Sequence, residues 1–216
     1  MLGEALVELV TIMDRLRREC PWDAKQTHQS LRPYLLEEAY ETLDALDRED
    51  FAELRAELGD LLLQVYFHAR VAQERTDGTG FDIDDVARGI AAKLVRRHPH
   101  VFGDVTVADA DEVKRNWNAI KAAERAQVSG QPGSALDGVP LAQPALALAA
   151  QLQRRAQAAG VPDEVAELAA ADEVSDLGAE LFGLVTQARA AGLNPELELR
   201  TAALAYRDRV HGWESR

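Results

Sequence analysis

The sequence predicts an all-α protein, and three observations point to that fold class. Alanine and leucine, both strong helix formers, dominate the composition. Aromatic residues make up only 6% of the 216 residues, and β-branched residues seldom cluster, so long strands are not expected. Apolar residues recur at the three- and four-residue spacing of amphipathic helices along most of the chain. With 47% hydrophobic residues, the chain is able to bury a core.

Apolar spacing and helix-terminating residues predict five helices in the first half of the chain. Pro21 ends the first, because proline breaks a continuing helix. Asp50 and Asp82 are N-cap candidates for the third and fourth helices, and Pro99 is expected to stop the fourth. The predicted helices cover about residues 3–19, 31–46, 51–75 and 83–98, and a fifth carries Val113, Trp117 and Ile120.

A stretch rich in Gly, Ser and Pro at residues 128–140 has the composition of a linker. We therefore expect a catalytic module at 1–127 and a second module at 141–216. The second half carries a weak internal repeat of the first, since the segment from Asp176 aligns with the segment from Glu57. It lacks room for a counterpart of the second helix, which predicts a truncated, degenerate copy.

Charge and targeting signals restrict the partners and the compartment. The formal net charge of -13 repels a phosphate backbone, so general nucleic-acid binding is not expected. No uncharged apolar run approaches the roughly 20 residues that cross a bilayer, so no membrane span is expected. Cys20 has no partner cysteine, and the first residues lack the regions of a signal peptide. The expected location is the cytoplasm.

Two neighbouring helices carry closely spaced carboxylates: Glu37, Glu38 and Glu41 on the second helix, Glu57 and Asp60 on the third. Acidic pairs at this spacing are common on solvated helix faces, which is the alternative interpretation for either group alone. Glu38 and Glu57, however, interrupt the apolar rows, where an unpaired carboxylate costs several kcal/mol. Both groups also lie about 9 to 10 Å from the connecting turn along each helix axis, so an antiparallel hairpin brings them to one level.

These carboxylates predict a divalent-metal site. Oxygen ligands without Cys or His suit Mg²⁺, with Mn²⁺ as a substitute, better than zinc or copper. A di-iron centre would need a Glu-x-x-His motif on each of two helices, and only Asp208-x-x-His211 comes close.

One compact basic cluster lies at the end of the fourth helix and comprises Lys93, Arg96, Arg97, His98 and His100. Phosphate binding and favourable charge at a helix C-terminus both explain it; the nearby carboxylates favour phosphate binding. Trp117 and Lys121, four residues apart, offer either a ring and an ammonium group to a nucleotide or a core tryptophan beside a surface lysine.

Five ordered motifs lie within residues 1–125: Cys20-Pro-Trp-Asp-Ala-Lys-Gln-Thr-His28, Leu36-Glu-Glu-Ala-Tyr-Glu41, Ala56-Glu-Leu-Gly-Asp60, Arg97-His-Pro-His-Val-Phe-Gly103 and Trp117-Asn-Ala-Ile-Lys121. Together they closely resemble the motifs of the MazG nucleoside triphosphate pyrophosphohydrolases. The resemblance implies a helical bundle of the all-α NTP pyrophosphohydrolase type, assembled as a homodimer. It also implies cleavage of nucleoside triphosphates to the monophosphate and pyrophosphate, as nucleotide-pool housecleaning with broad base specificity.

The resemblance also implies roles for individual residues. It assigns Mg²⁺ ligation to Glu38, Glu41, Glu57 and Asp60, and orientation or deprotonation of the attacking water to Glu37. It assigns substrate contacts to Lys93, Arg96, Arg97, Trp117, Lys121, Trp22 and Asp23. The second half departs from the family pattern, because Ala179 stands where the repeat needs an aspartate and no Glu-Glu-x-x-Glu motif precedes it. We expect that half to be catalytically inactive.

Two other functions fit the same residues. The carboxylates of a non-catalytic sensing or interaction module would bind a metal nucleotide without turnover. A narrower hydrolase of the same fold would act on dUTP or phosphoribosyl-ATP. Pyrophosphate release across a panel of triphosphates distinguishes the three functions.

Overall fold

The computed structural model describes residues 3–129, 134–166 and 174–216, with side chains described outside 125–129, 163 and 164. No β-strand occurs in these ranges, and the predicted all-α fold class is confirmed. The helices are α1 (Glu4–Glu19), α2 (His28–Asp47), α3 (Phe51–Ala72), α4 (Ile83–Arg97), α5 (Pro99–Phe102), α6 (Ala110–Ser129), α7 (Ala145–Ala158), α8 (Asp163–Ala166), α9 (Asp176–Ala190) and α10 (Pro195–Glu214), with a 3-10 helix at Asp23–Lys25.

The first three helices follow the predicted order, with one shifted start. α1 ends at Glu19, ahead of Pro21, as expected. α2 begins at His28 rather than near residue 31, because the Thr27 side chain and Ser30 form a capping box that starts the helix earlier. Asp50 caps α3 by accepting hydrogen bonds from the backbone N–H groups of Ala52 and Glu53.

The fourth helix ends where proline was expected to act, but the proline also begins a new element. Asp82 and Asp85 form a capping box at the start of α4, which confirms the predicted N-cap. α4 ends at Arg97, and Pro99 is the first residue of the short helix α5. Proline is well tolerated there, because the first turn of a helix needs no hydrogen bond from its nitrogen.

Contacts between residues divide the chain into two compact units, Met1–Lys121 and Ala122–Arg216. Helix α6 extends to Ser129 and therefore includes the first two residues of the predicted linker. Residues 130–133 of that linker lie outside the described residues. The division into modules at 1–127 and 141–216 stays a prediction.

The core of the first unit lies between α1, α2 and α3. Met13, Leu31, Tyr66 and Phe67 are buried together, and partly buried side chains surround them: Leu9, Leu62, Leu63, Val71 and Ile83. The phenol of Tyr66 also donates a hydrogen bond to the Leu6 carbonyl, at 3.0 Å. This packing fixes α3 against both neighbouring helices and so holds the α2–α3 hairpin in place.

The second unit is built on α7, α9 and α10. Val185 of α9 is fully buried, and Gln153 of α7 is buried beside it on the facing helix. The Gln153 amide donates to the Phe182 carbonyl at 2.9 Å and accepts from Arg189 at 3.3 Å. A polar contact therefore joins α7 to α9 inside this small core.

None of the described helices combines the length and the apolar character that a transmembrane span requires.

Candidate functional site

A tight turn sets the register of the α2–α3 hairpin. Glu49 adopts a left-handed conformation with φ of 53°, and the Asp50 amide donates to the Ala45 carbonyl at 3.0 Å. Arg48 pairs with Glu53 across the turn at 2.7 Å. Because the connection is this short, residues at equal distances from the turn face each other across the hairpin.

The hairpin brings three of the predicted ligands together. Glu38, Glu41 and Glu57 each offer a carboxylate oxygen, and these oxygens all lie within 4.8 Å of one another. Glu38 and Glu57 are half-buried, whereas Glu41 is exposed in the single chain. The predicted meeting of the two acidic helices at one level is therefore confirmed. We call Glu37, Glu38, Glu41, Glu57 and Asp60 the acidic cluster.

Glu37 and Asp60 also lie close enough to the other carboxylates to affect their pKa values. Burial is the largest cause of the raised pKa of Glu38. The negative charges of its neighbours raise this pKa further: Asp60, Glu41, Glu57 and Glu37. Partial burial also raises the pKa of Glu57, followed by repulsion from Glu41 and Asp60. Carboxylates with raised pKa values in mutual contact form a site that a cation would stabilise.

The geometry and chemistry of the acidic cluster fit a hard divalent cation. Two ligand atoms about 2.1 Å from a single Mg²⁺ are up to about 4.2 Å apart, and these oxygens all lie within 4.8 Å of one another. The Thr42 hydroxyl donates to the backbone carbonyl of Glu38 at 2.8 Å. All donors in the cluster are carboxylate oxygens, which Mg²⁺ and Mn²⁺ prefer. No second group of three such side chains comes together in the described part of the chain.

The basic residues at the end of α4 contact an aromatic residue of α6. The Arg97 guanidinium lies 5.4 Å from the centre of the Trp117 ring, and the His98 ring meets the same indole edge-on at 4.8 Å. The Trp117 ring is half-buried and faces the Arg97 guanidinium, and its contact with a nucleotide stays a prediction. Lys93 and Arg96 are exposed on α4, and Lys121 lies one turn after Trp117 on α6.

The loop between α1 and α2 holds Trp22 and Asp23. Trp22 is 49% exposed, and its ring packs edge-on against Tyr34 at 5.7 Å and Phe67 at 6.3 Å. Asp23 uses its backbone carbonyl as an acceptor for Arg17. Trp22 is therefore held near α2 with half of its surface available to a ligand.

Several polar contacts at this loop had no signal in the sequence. His28 and His68 stack in parallel with their Nδ1 atoms 2.8 Å apart, which joins the start of α2 to α3. Burial lowers the pKa of His68, and the neighbouring His28 lowers it further. Arg17 of α1 forms an ion pair with Glu74, just beyond α3. Each pair unites residues far apart in sequence, so helical spacing could not reveal it.

Comparison with known proteins identifies the family. Residues 26–102 match the model of the MazG nucleotide pyrophosphohydrolase domain. The nucleoside triphosphate pyrophosphohydrolase of Escherichia coli K12 is 43% identical over 218 residues, covering 90% of this chain and 81% of that protein. The chain belongs to the MazG family. A Streptomyces cacaoi relative, described only as an uncharacterized 26.1 kDa protein in the blaB 3' region, is 46% identical over 98% of this chain and 84% of its own length.

A crystal structure of a MazG-related protein from Thermotoga maritima is 29% identical, with a TM-score of 0.46 over 53% of this chain and 97% of that chain. The segment that matches the MazG domain contains the whole acidic cluster and the basic end of α4. Trp22 and Asp23 precede it, and Trp117 and Lys121 follow it.

Proposed function

We propose that this chain hydrolyses nucleoside triphosphates to the nucleoside monophosphate and pyrophosphate. The convergence of Glu38, Glu41 and Glu57, with oxygens within 4.8 Å of one another, carries the proposal. Membership of the MazG family supports it, as do several relatives named nucleoside triphosphate pyrophosphohydrolase. The role we infer is nucleotide-pool housecleaning with broad base specificity.

Four members of the acidic cluster, Glu38, Glu41, Glu57 and Asp60, would hold Mg²⁺, or Mn²⁺ in its place. The bound ion supplies positive charge that stabilises the phosphate oxygens as negative charge develops on them. At neutral pH the four carboxylates repel one another, and a bound cation would relieve that repulsion.

Glu37 acts on the water that attacks the α-phosphorus. Its exposed carboxylate lies next to Glu38 in sequence and is close enough to raise the pKa of Glu38. The carboxylate accepts a proton from the water as the new oxygen–phosphorus bond forms. The bond from the α-phosphorus to the bridging oxygen then breaks, and pyrophosphate leaves. Glu37 returns the proton to solvent.

Cationic and aromatic side chains contact the nucleotide. Lys93, Arg96 and Arg97 neutralise phosphate charge, and Lys121 adds a further ammonium group. Trp117 and Trp22 offer ring faces to a base or ribose, and Asp23 lies beside Trp22 in the same loop. The net negative charge of the chain does not prevent anion binding, because the local field is set by the bound ion and these cations.

The first module carries the chemistry in this proposal, and the second is a degenerate, inactive copy. We infer that the enzyme works as a homodimer, because the hairpin leaves apolar side chains such as Leu35, Leu36 and Leu58 exposed in one chain. We also infer that it works in the cytoplasm. It has no nucleic-acid or membrane partner.

The test is pyrophosphate release by the full chain with Mg²⁺ across canonical and damaged nucleoside triphosphates. Glu57→Gln should abolish release, whereas Glu180→Gln in α9 should not. Binding of nucleotides without pyrophosphate release would favour a sensing module. Release from dUTP or phosphoribosyl-ATP alone would favour the narrower hydrolase.

A further inference from the structure

A single arginine clamps the loop that carries Trp22. Arg17 lies in the last turn of α1, and its Nε and Nη2 atoms donate to the two oxygens of Glu74 at 2.9 and 2.8 Å. Its Nη1 donates to the backbone carbonyls of Asp23 and, at 2.9 Å, Gln26. One guanidinium therefore ties the loop to α1 and to the end of α3.

The burial of this arginine makes the clamp specific for a guanidinium. The Arg17 side chain is 9% exposed, against 44% for Glu74. The N–H groups of a buried charged side chain must find hydrogen-bond acceptors. Only the planar guanidinium of arginine can donate two parallel hydrogen bonds to a carboxylate while its third nitrogen donates to two backbone carbonyls. The pKa of Glu74 is lowered mainly by its hydrogen bond with Arg17, so this carboxylate stays ionised.

The clamped loop is also ordered from within. The buried Gln26 donates from its amide to the Trp22 carbonyl at 3.0 Å and accepts from Ser30 at 2.7 Å. The backbone carbonyls of Trp22, Asp23 and Gln26 are thus all used, which leaves the loop with few alternative conformations. The indole of Trp22 is the largest exposed apolar group of the loop.

The position of Trp22 relates the clamp to the acidic cluster. Its ring meets Tyr34 at 5.7 Å, and Tyr34 lies four residues before Glu38 on α2. Residues four apart share a helix face and are about 6 Å apart. The Trp22–Tyr34 pair therefore lies one helical turn from a carboxylate of the acidic cluster, within the length of a nucleotide.

We propose that Arg17, held by Glu74, is a positioning residue that fixes Trp22 for contact with the nucleotide. This inference rests on the proposed function, because it needs a nucleotide whose phosphates lie at the acidic cluster. Arg17 itself touches neither the substrate nor the acidic cluster in this scheme. Its loss should weaken nucleotide binding and leave the chemical step nearly unchanged.

The kinetic test compares Arg17→Met and Arg17→Lys with Arg70→Met. Arg70 is a matched control, because it also links α1 to α3, through Asp14 at 3.0 Å, and also donates to Glu74 at 3.1 Å, but it contacts no carbonyl of the Trp22 loop. We expect Arg17→Met to raise KM about tenfold, the loss of about 1.4 kcal/mol of binding, with kcat and the Mg²⁺ dependence retained. Arg17→Lys should restore only part of the affinity, and Arg70→Met should leave KM unchanged.

A second measurement follows Trp22 without any substrate. The chain has three tryptophans, so Trp117→Phe with Trp213→Phe leaves Trp22 as the single emitter. In that background Arg17→Met should shift the emission to the red and increase quenching by iodide, whereas Arg70→Met should do neither. If Arg17→Met unfolds the chain, Glu74→Gln provides a milder variant with the same expected changes.

The outcomes separate this inference from the proposed function. Equal KM changes in the Arg17 and Arg70 variants, or a fall in kcat alone, would overturn the positioning role. An unchanged Trp22 signal in Arg17→Met would overturn it as well. If the wild type released no pyrophosphate from any triphosphate, the proposed function would be wrong, and the fluorescence comparison would still decide whether Arg17 holds Trp22.

Discussion

Replacing Glu38 with glutamine should separate stability from activity in the acidic cluster. Glutamine keeps the volume of the side chain and removes its charge. Carboxylate oxygens within 4.8 Å of one another repel by at least about 0.9 kcal/mol per pair in a water-like dielectric and by at least about 3.5 kcal/mol at an effective dielectric constant of about 20. Glu38 is only half-buried, so solvent screening favours the lower value. The metal-free variant should therefore be more stable than wild type by on the order of 1 kcal/mol.

Metal should reverse this order. An ion that binds only the folded hairpin stabilises it by about 2.7 kcal/mol at a hundredfold excess over Kd. For a chain of this size, each kcal/mol raises the Tm by about 2–4 °C. Wild type should gain the full increment in Mg²⁺, whereas Glu38→Gln should lose most of it together with most of its pyrophosphate release.

The pH dependence has a definite sign. The folded-state pKa of Glu38 is raised above its usual value of 4.5, so ionisation of Glu38 disfavours the folded state. The penalty is absent below pH 4.5 and develops as the pH rises through the folded-state pKa. The stability advantage of metal-free Glu38→Gln should therefore be largest at neutral pH and vanish near pH 4.

The assay is thermal unfolding of both proteins in EDTA and in Mg²⁺, at neutral and acidic pH, alongside pyrophosphate release. Glu180→Gln, which changes an acidic residue outside the acidic cluster, is the control for the loss of one negative charge. If Glu38→Gln were clearly less stable than wild type in EDTA and gained as much from Mg²⁺, Glu38 would be a structural hydrogen-bonding residue. The metal-site assignment on α2 would then be wrong.

Four other outcomes are expected. Pyrophosphate release should require Mg²⁺ or Mn²⁺, because the acidic cluster has only hard oxygen ligands; full turnover in excess EDTA would contradict the metal assignment. Asp176→Ala with Glu180→Ala should leave turnover nearly intact, and a loss like that of Glu57→Ala would make the second half an active site. Light scattering should give a dimer, so a mass near the 23.7 kDa of one chain would refute it. Glu74→Gln should be less stable than wild type at neutral pH, and this stability difference should shrink in acid. The pKa of Glu74 is lowered in the folded state, so the stability that its carboxylate contributes is present above pH 4.5 and is lost as the pH falls through the folded-state pKa. A deficit independent of pH would assign the effect to packing.

Local signals were sufficient for the helices and for the central part of the site. Asp50 and Asp82 cap helices where the sequence placed them, because an N-cap depends on residues within one turn. The acidic hairpin was also predictable, since helical rise and a short connection together set the level at which Glu41 and Glu57 meet. The early start of α2 was missed, although Thr27 and Ser30 offered a capping signal.

Only the tertiary structure decided which distant residues form pairs. Arg17 and Glu74 are 57 positions apart, and His28 and His68 are 40 apart; no periodicity within either segment relates them. Their pairing depends on how α1 and α2 pack against α3 around Met13 and Phe67. The sequence by itself determined the helices, their order and the acidic hairpin, because those depend on interactions within a few turns. The clamp on the Trp22 loop arises from burial and donor geometry, which exist only once the helices have packed.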